Sequence, residues 1–226
     1  LHLDNLIIPG LPEIPLGLLG LPVTLLFTVW FINLYNFMDG LDGLAGGLGV
    51  IGFTFLAAAG WIGGHQSIVW CSVIIAGANL GFLVHNFPPA RIFMGDAGSI
   101  PMGLLAAAIS LWGVRDGAFG LWVPLLIFSP FIVDATITLI RRVLYFERFW
   151  EPHHSHYYQR VVLLGWSHRK TVLAEYALML GVGVSALVLH YAGDGPIVLA
   201  GLAGWGLVYF ILVIVIRHFE SGKTGE

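Results

Sequence analysis

The chain has 226 residues, of which 58% are hydrophobic and only 10% charged, and its mean hydropathy is +0.87. A soluble domain carries charge on about a quarter of its residues, so this composition excludes a water-soluble fold and fits a bilayer. The formal net charge of −3 hides a very uneven distribution, and with no basic stripe a nucleic-acid partner is excluded too.

The chain opens in a Pro/Gly-rich stretch with neither a basic n-region nor a cleavage site, so no signal peptide is expected. A start at Leu1 in such a stretch is expected to lie inside a larger protein. Seven segments then have the length and apolarity of a spanning helix, roughly Pro15–Phe37, Leu44–Ile62, Ser67–Val84, a short Gly98–Val114, Gly117–Ile140, Val172–Tyr191 and Pro196–Ile216. The expected fold is therefore all-α: a polytopic helical membrane bundle of about seven spans, forming one integral membrane domain over residues 1–226. The single Cys71 lies inside an apolar run and is read as a small buried hydrophobe.

With seven crossings, Arg91, Arg141, Arg142, Arg148, Arg160, Arg169, Lys170, Arg217 and Lys223 fall on one side and only Arg115 on the other. That asymmetry marks the first side as cytoplasmic. Trp61, Trp70, Trp112 and Trp122 fall near the opposite ends of their spans, as an interfacial belt does. His65, His190 and His218 are read as interface residues without a role.

The reactive side chains map to the basic side. The first group is Asn33, Asn36, Asp39, Gly40, Leu41, Asp42 and Gly43, followed by Gly46-Gly47. Acids at a membrane edge are expensive and usually functional. Asp39 and Asp42 are three apart, which on a helical turn puts them on one face, and the glycines let a ligand approach the backbone. The bland reading is capping at a helix boundary. It accounts for one Asp better than for two preceded by two Asn.

The second group runs from Asn86 to Ser99. Pro88-Pro89 ends the third span, and Asp96 follows in a Gly-flanked turn at a helix start, which suits a Mg²⁺–diphosphate complex. The third is a cytoplasmic His/Arg-rich loop over 141–170, with Arg141-Arg142, His153-His154-Ser155-His156 and His168-Arg169-Lys170. Zn²⁺ binding lacks a second set of soft ligands there, and contact with phosphate oxygens or protonation of a leaving group fits better. Asp134, inside the fifth span, is read equally as a structural partner and as a functional acid.

These residues resemble a known family. Asn-x-x-Asn-x-x-Asp-Gly-Leu-Asp-Gly-Leu-Ala at 33–45 and Asn86 through Ser99 are similar to the signatures of the polyprenyl-phosphate N-acetylhexosamine-1-phosphate transferases. These are the family 4 bacterial sugar-phosphate transferases, including enzymes that start O-antigen and common-antigen chains and the one that makes lipid I. Asp134-Ala135-Thr136 followed by Arg141-Arg142, and the His loop, resemble two further motifs.

The resemblance implies transfer of a sugar-1-phosphate from a UDP-sugar, expected to be a UDP-N-acetylhexosamine, to undecaprenyl phosphate, with release of UMP. It implies Mg²⁺ as cofactor, with Mn²⁺ as a substitute, held by Asp96. Catalytic roles fall on Asp39, Asp42, Asp96, His153 and His156. Substrate contacts fall on Asn33, Asn36, Gly40, Leu41, Asn86, Phe93, His154, Arg141 and Arg142. Within that set Phe93 stacks on the base, Asn86 bonds the nucleotide, and Asp39 and Asn36 face the sugar-phosphate. The implied location is a bacterial inner membrane, multi-pass, with the active-site loops cytoplasmic and a homodimer as one arrangement.

One departure stands out. The family carries an Asp-Asp pair on an earlier cytoplasmic loop, and this sequence has none. The chain is expected to be the C-terminal part of a larger transferase domain and to be inactive alone. A non-catalytic remnant of the family and a lipid I-forming transferase are the alternatives. The Asp-x-x-Asp-Gly of CDP-alcohol phosphatidyltransferases also matches 39–43, but Gly46-Gly47 stand where that motif needs Ala-Arg. A transporter would need acids near mid-membrane, whereas these cluster on one side.

Overall fold

The computed structural model describes residues 2–146, 155–193 and 195–223. A short antiparallel hairpin, β1 (Asn5–Leu6) with β2 (Ile14–Pro15), leads into the helices. These are α1 (Gly20–Met38), α2 (Leu44–Ile62), α3 (Gln66–Asn86), α4 (Gly95–Arg115), α5 (Trp122–Ile127), α6 (Ser129–Leu144), α7 (Tyr157–Leu163), α8 (His168–Ala192) and α9 (Gly195–Lys223).

Six of the described helices are each long and apolar enough to cross a membrane: α1 with the turn before it, α2, α3, α4, α8 and α9. The protein is thus a polytopic helical membrane protein, as its composition requires. The fourth expected span, read as short, is a full 21 residues because α4 starts at Gly95.

The fifth expected span, Gly117–Ile140, is not one helix. It is jointed at Phe128, between the six-residue α5 and the 16-residue α6. Pro130, at the start of α6, has no N–H to continue the ladder, and its ring disfavours helical backbone just before it. The joint is filled rather than hollow. Phe128 packs edge-on against Phe31 of α1 at 5.5 Å and Phe53 of α2 at 6.2 Å, and Tyr35 meets Phe131 at 5.7 Å. Edge-to-face aromatic pairs of this kind stabilise a core by about 1 kcal/mol each beyond their buried area.

α2 lies at the centre and α9 at the rim: 61% of the α2 span is buried, against 6% of the α9 span. The sequence explains the difference. Between helices in lipid, small residues permit close backbone approach. α2 uses Gly46, Gly49 and Gly60 where Phe82, Asn79 and Ile68 of α3 occupy the space a Cβ would need. α9 instead presents Leu207, Phe210, Ile211 and Ile214 outward.

The chain alternates direction from helix to helix. The C-terminal ends of α1, α3, α6 and α9 and the N-terminal ends of α2, α4 and α8 therefore gather at one end of the bundle. Ties between them confirm this: Asn36 to Asp96, Gly43 to Asn86, Asp134 to Tyr157, and Arg160 to Glu220. At the other end Gly63 packs against the backbone of Ala118, and Leu3 of the hairpin region sits with Leu111 and Leu121.

Candidate functional site

The gathered end brings the first two sequence groups into contact. Asn36, on the last turn of α1, donates from Nδ2 to Asp96 Oδ1 at 2.7 Å and to Ser99 Oγ at 3.2 Å. Asp96 lies in the first turn of α4 and is solvent-exposed. Asp39, just past α1, lies close enough to the Gly95 backbone N–H and to the charge of Asp96 for both to act on its carboxyl. Gly95 has φ +56°, a conformation that strains any side chain but glycine and that sets the loop where its N–H meets Asp39. Burial pushes the Asp39 carboxyl up to about 6; the Gly95 N–H opposes that shift and the Asp96 charge adds to it.

Asp39 and Asp42 do not share a helical face. α1 ends at Met38 and α2 begins at Leu44, and Gly43 at φ +79° turns the chain between them. The two acids diverge. Asp39 meets Gly95, while Asp42 Oδ2 accepts the Ala90 N–H at 3.1 Å.

Asn86 is 4% exposed and spans the two motif loops, accepting the Gly43 N–H at 2.9 Å and donating to the Ile92 carbonyl at 2.9 Å. Tyr176 of α8 locks the same turn by donating to the Gly43 carbonyl at 2.5 Å. Leu41 belongs to the hydrophobic core at 7% exposure. Phe93 stands out at 77% exposure, an uncovered aromatic face. Asn33 sits one turn back along α1, where its Nδ2 donates to the Val29 carbonyl at 3.0 Å.

The third group reaches the site through Asp134. Its Oδ1 accepts the Tyr157 N–H at 2.9 Å and the Thr138 hydroxyl at 3.2 Å, and its Oδ2 accepts the Tyr158 N–H at 3.1 Å. His156 Nδ1 is 3.2 Å from Oδ1, so that nitrogen carries the proton. A carboxylate here satisfies the first N–H groups of α7 and opposes its dipole. Asp134 thus has the structural role among the two readings of the sequence.

His156 is 4% exposed, between Phe37 and Tyr158. His153 and His154 lie outside the described residues. Tyr158 donates to the Phe37 carbonyl at 3.3 Å, and its phenol is held well above the ordinary range by burial first and then by the Asp134 and Asp39 charges. It is therefore a neutral donor. Gly40 makes this contact possible, because a Cβ there would collide with the Tyr158 hydroxyl.

The residues that join the His loop to the Asp39 turn were therefore Tyr158 and Gly40 rather than the histidines alone. A signal for the α6 part exists in the sequence. Asp134, Thr138 and Arg142 recur every fourth residue, and all three are buried. Arg141, the next residue round the helix from Arg142, faces a different pocket whose lining includes none of the residues of the first two groups.

Among the described residues no three His, Cys, Asp or Glu side chains converge as a metal cage. The donors able to hold a divalent cation are the Asp96 and Asp39 carboxylates. That set fits Mg²⁺, which takes one or two carboxylates and completes its shell with water and phosphate oxygens.

Comparison with known proteins gives the same grouping. Residues 2–114, which contain both the 33–45 and 86–99 motifs, match the family model described as Glycosyl transferase family 4. The chain is 38% identical over 195 residues to a Bacillus subtilis protein named "Probable undecaprenyl-phosphate N-acetylglucosaminyl 1-phosphate transferase", covering 85% of this chain and 54% of that one. It is 38% identical over 215 residues to the decaprenyl-phosphate N-acetylglucosaminephosphotransferase of Mycobacterium tuberculosis, covering 80% and 52%. It is 32% identical over 189 residues to the phospho-N-acetylmuramoyl-pentapeptide-transferase of Thermosynechococcus vestitus, covering 78% and 47%. The chain spans about half the length of these relatives.

Proposed function

The chain belongs to glycosyl transferase family 4, and we propose that it serves in the transfer of a sugar-1-phosphate, from a UDP-N-acetylhexosamine to a polyprenyl phosphate, that initiates a cell-envelope polysaccharide. The observation that carries the reading is the Asn36–Asp96 bond, which sets the two motif loops edge to edge with Asp39 beside them. In the reaction a phosphate oxygen of undecaprenyl phosphate bonds to the sugar-bearing phosphorus. The bond from that phosphorus to the bridging oxygen breaks, and UMP leaves with the electron pair. Such a transfer needs positioning and charge neutralisation more than covalent help from the protein.

Asp96, with Asp39 beside it, would hold Mg²⁺, which supplies neutralisation of the diphosphate charge. Asn36 fixes the Asp96 carboxylate through its carboxamide. Phe93 offers its exposed face to the uracil, and Tyr158 keeps the Asp39 turn against α7. The basic side of the bundle is assigned to the cytoplasm of a bacterial inner membrane, where a UDP-sugar and the phosphate end of a membrane lipid meet. The relatives named for N-acetylglucosamine support that sugar. The resemblance to phospho-N-acetylmuramoyl-pentapeptide-transferases supports a lipid I-forming reaction as the second reading.

The test is a radiolabelled transfer assay on membranes carrying the full-length gene product, with undecaprenyl phosphate, Mg²⁺ and either UDP-N-acetylglucosamine or UDP-N-acetylmuramoyl-pentapeptide. Lipid-linked label with stoichiometric UMP is expected from the first donor. Label from the second donor alone would establish the lipid I reading instead. No lipid product from any UDP-sugar, with solute flux in liposomes, would overturn both.

A further inference from the structure

The polar groups at the gathered end are not all absorbed by the site above. A cavity of about 320 Å³ opens between α6, α7 and α9, lined by Arg141, Tyr145, Arg160, Arg217, Glu220 and Ser221. Three guanidiniums meet one carboxylate there. Arg160 is 8% exposed, lies 4.5 Å over the Tyr157 ring and forms a two-pronged pair with Glu220, so one side of the cavity is built and neutral.

Arg141 and Arg217 complete the lining. Among the described residues neither has an ion pair or a side-chain hydrogen bond. Counted over the described lining residues, the cavity therefore holds an excess of two positive charges. Two unpaired guanidiniums facing one space repel each other, and an oxyanion between them removes the repulsion and takes charge-assisted hydrogen bonds.

The helices that carry these arginines are apolar outside the cavity. Val143 and Leu144 of α6 are 50% and 70% exposed. Ile214, Val215 and Phe219 of α9 are 49%, 42% and 63% exposed. These are surfaces for hydrocarbon. A ligand that satisfies both parts has a phosphate at one end and an alkyl chain at the other. A free phosphate or a nucleotide would use only the arginines.

We propose that this cavity binds the phosphate of a membrane lipid, with Arg141 and Arg217 as the ligand-contacting charges and Arg160–Glu220 as the fixed wall. Basic pockets between transmembrane helices on the cytoplasmic side are suited to anionic headgroups. None of the lining residues comes from α1 to α4, so the cavity is separate from the Asp39–Asp96 site. Two lipids carry the required chemistry, a polyprenyl phosphate and an anionic phospholipid, and the test separates them.

The experiment titrates the 226-residue chain, in neutral detergent–phosphatidylcholine micelles, with fluorescent phosphatidylglycerol. Wild type is expected to bind saturably. The Arg141→Gln/Arg217→Gln variant is expected to bind at least about tenfold more weakly, and Arg141→Lys/Arg217→Lys to retain most of the affinity. Arg217→Gln alone, on the exposed last turns of α9, is expected to weaken binding about fivefold and serves if the double variant does not fold.

Displacement by undecaprenyl phosphate at lower concentration than by unlabelled phosphatidylglycerol identifies the polyprenyl source; the reverse order identifies the phospholipid. Equal binding by wild type and both Gln variants overturns the proposal. So does displacement by inorganic phosphate as effective as by either lipid. The readout is binding, so a negative result leaves the proposed transfer reaction untouched.

Discussion

Two carboxylates at the same end of the bundle have opposite circumstances. Asp96 is exposed, and its described side-chain partner is the Asn36 carboxamide at 2.7 Å. Asp134 is 7% exposed and takes the Thr138 hydroxyl, the Tyr157 and Tyr158 N–H groups and His156 Nδ1. A carboxylate has about four lone-pair sites; Asp134 has four partners, three on Oδ1 and one on Oδ2, while Asp96 has most of its capacity open. Two aspartates in motifs of one family have therefore been given different work. One keeps its carboxylate open to solvent, and the other is consumed in holding α7 against α6. Burial and partner count, not residue type, separate the open carboxylate from the structural one.

The largest effect that would break this contrast is at Asp96. Asp96→Asn keeps the shape and removes the charge. Under the proposed reaction, transfer activity in membranes should fall by roughly 10²- to 10³-fold, while thermal stability stays within about 0.5 kcal/mol of wild type. A variant with wild-type turnover would remove Asp96 from the chemistry. Asp134→Ala should do the reverse in kind. It leaves two backbone N–H groups and the Thr138 hydroxyl buried without an acceptor, a destabilisation of about 2–4 kcal/mol. Limited proteolysis should then cut within 155–163 well before the rest of the chain. Unchanged melting and unchanged cleavage in Asp134→Ala would show that the capping role is wrong.

Much of this arrangement was legible in the sequence, and the exceptions have physical causes. Alternating spans place odd and even loops on opposite sides, so the collection of Asn36, Asp39, Asn86 and Asp96 at one end followed from counting crossings. The joint at Phe128 did not, because hydrophobicity runs unbroken across Ser129-Pro130 and only the proline marks the missing N–H. The spacing of Asp39 and Asp42 suggested one face because it assumed a helix; Gly43 at positive φ ends that assumption. The structural role of Asp134 depends on the Tyr157 and Tyr158 N–H groups, more than 20 residues away. No local pattern encodes such a contact, although the Asp134/Thr138/Arg142 stripe shows which face of α6 turns inward. His153 and His154 lie outside the described residues.

A smaller effect sharpens the picture of what Asp96 faces. If Phe93 stacks on the base, Phe93→Ala should raise the KM for the UDP-sugar about tenfold or more, with kcat little changed, as loss of one base–aromatic stack implies. Phe93→Tyr should restore most of it. Equal KM values across the three proteins would place the nucleotide elsewhere.

The smallest expected effect concerns Asp39, which lies between the two extremes because it is half-buried yet beside Asp96. Burial holds its proton to about pH 6, against about 4 in the unfolded chain. The folded state therefore binds more protons than the unfolded state between those values. The stabilising contribution of this group is fully present below about pH 4 and is lost as pH rises through about 6. In melts of the metal-free protein, wild type should lose stability relative to Asp39→Asn across that window and run parallel to it above. A divalent cation favours the ionised carboxylate, so added Mg²⁺ should move the window to lower pH in wild type and leave Asp39→Asn unmoved. A difference that is flat with pH would mean that Asp39 is as well solvated as Asp96. If the window exists but Mg²⁺ does not shift it, Asp39 faces the site without sharing the cation, and Asp96 stands alone as the carboxylate that the fold leaves open.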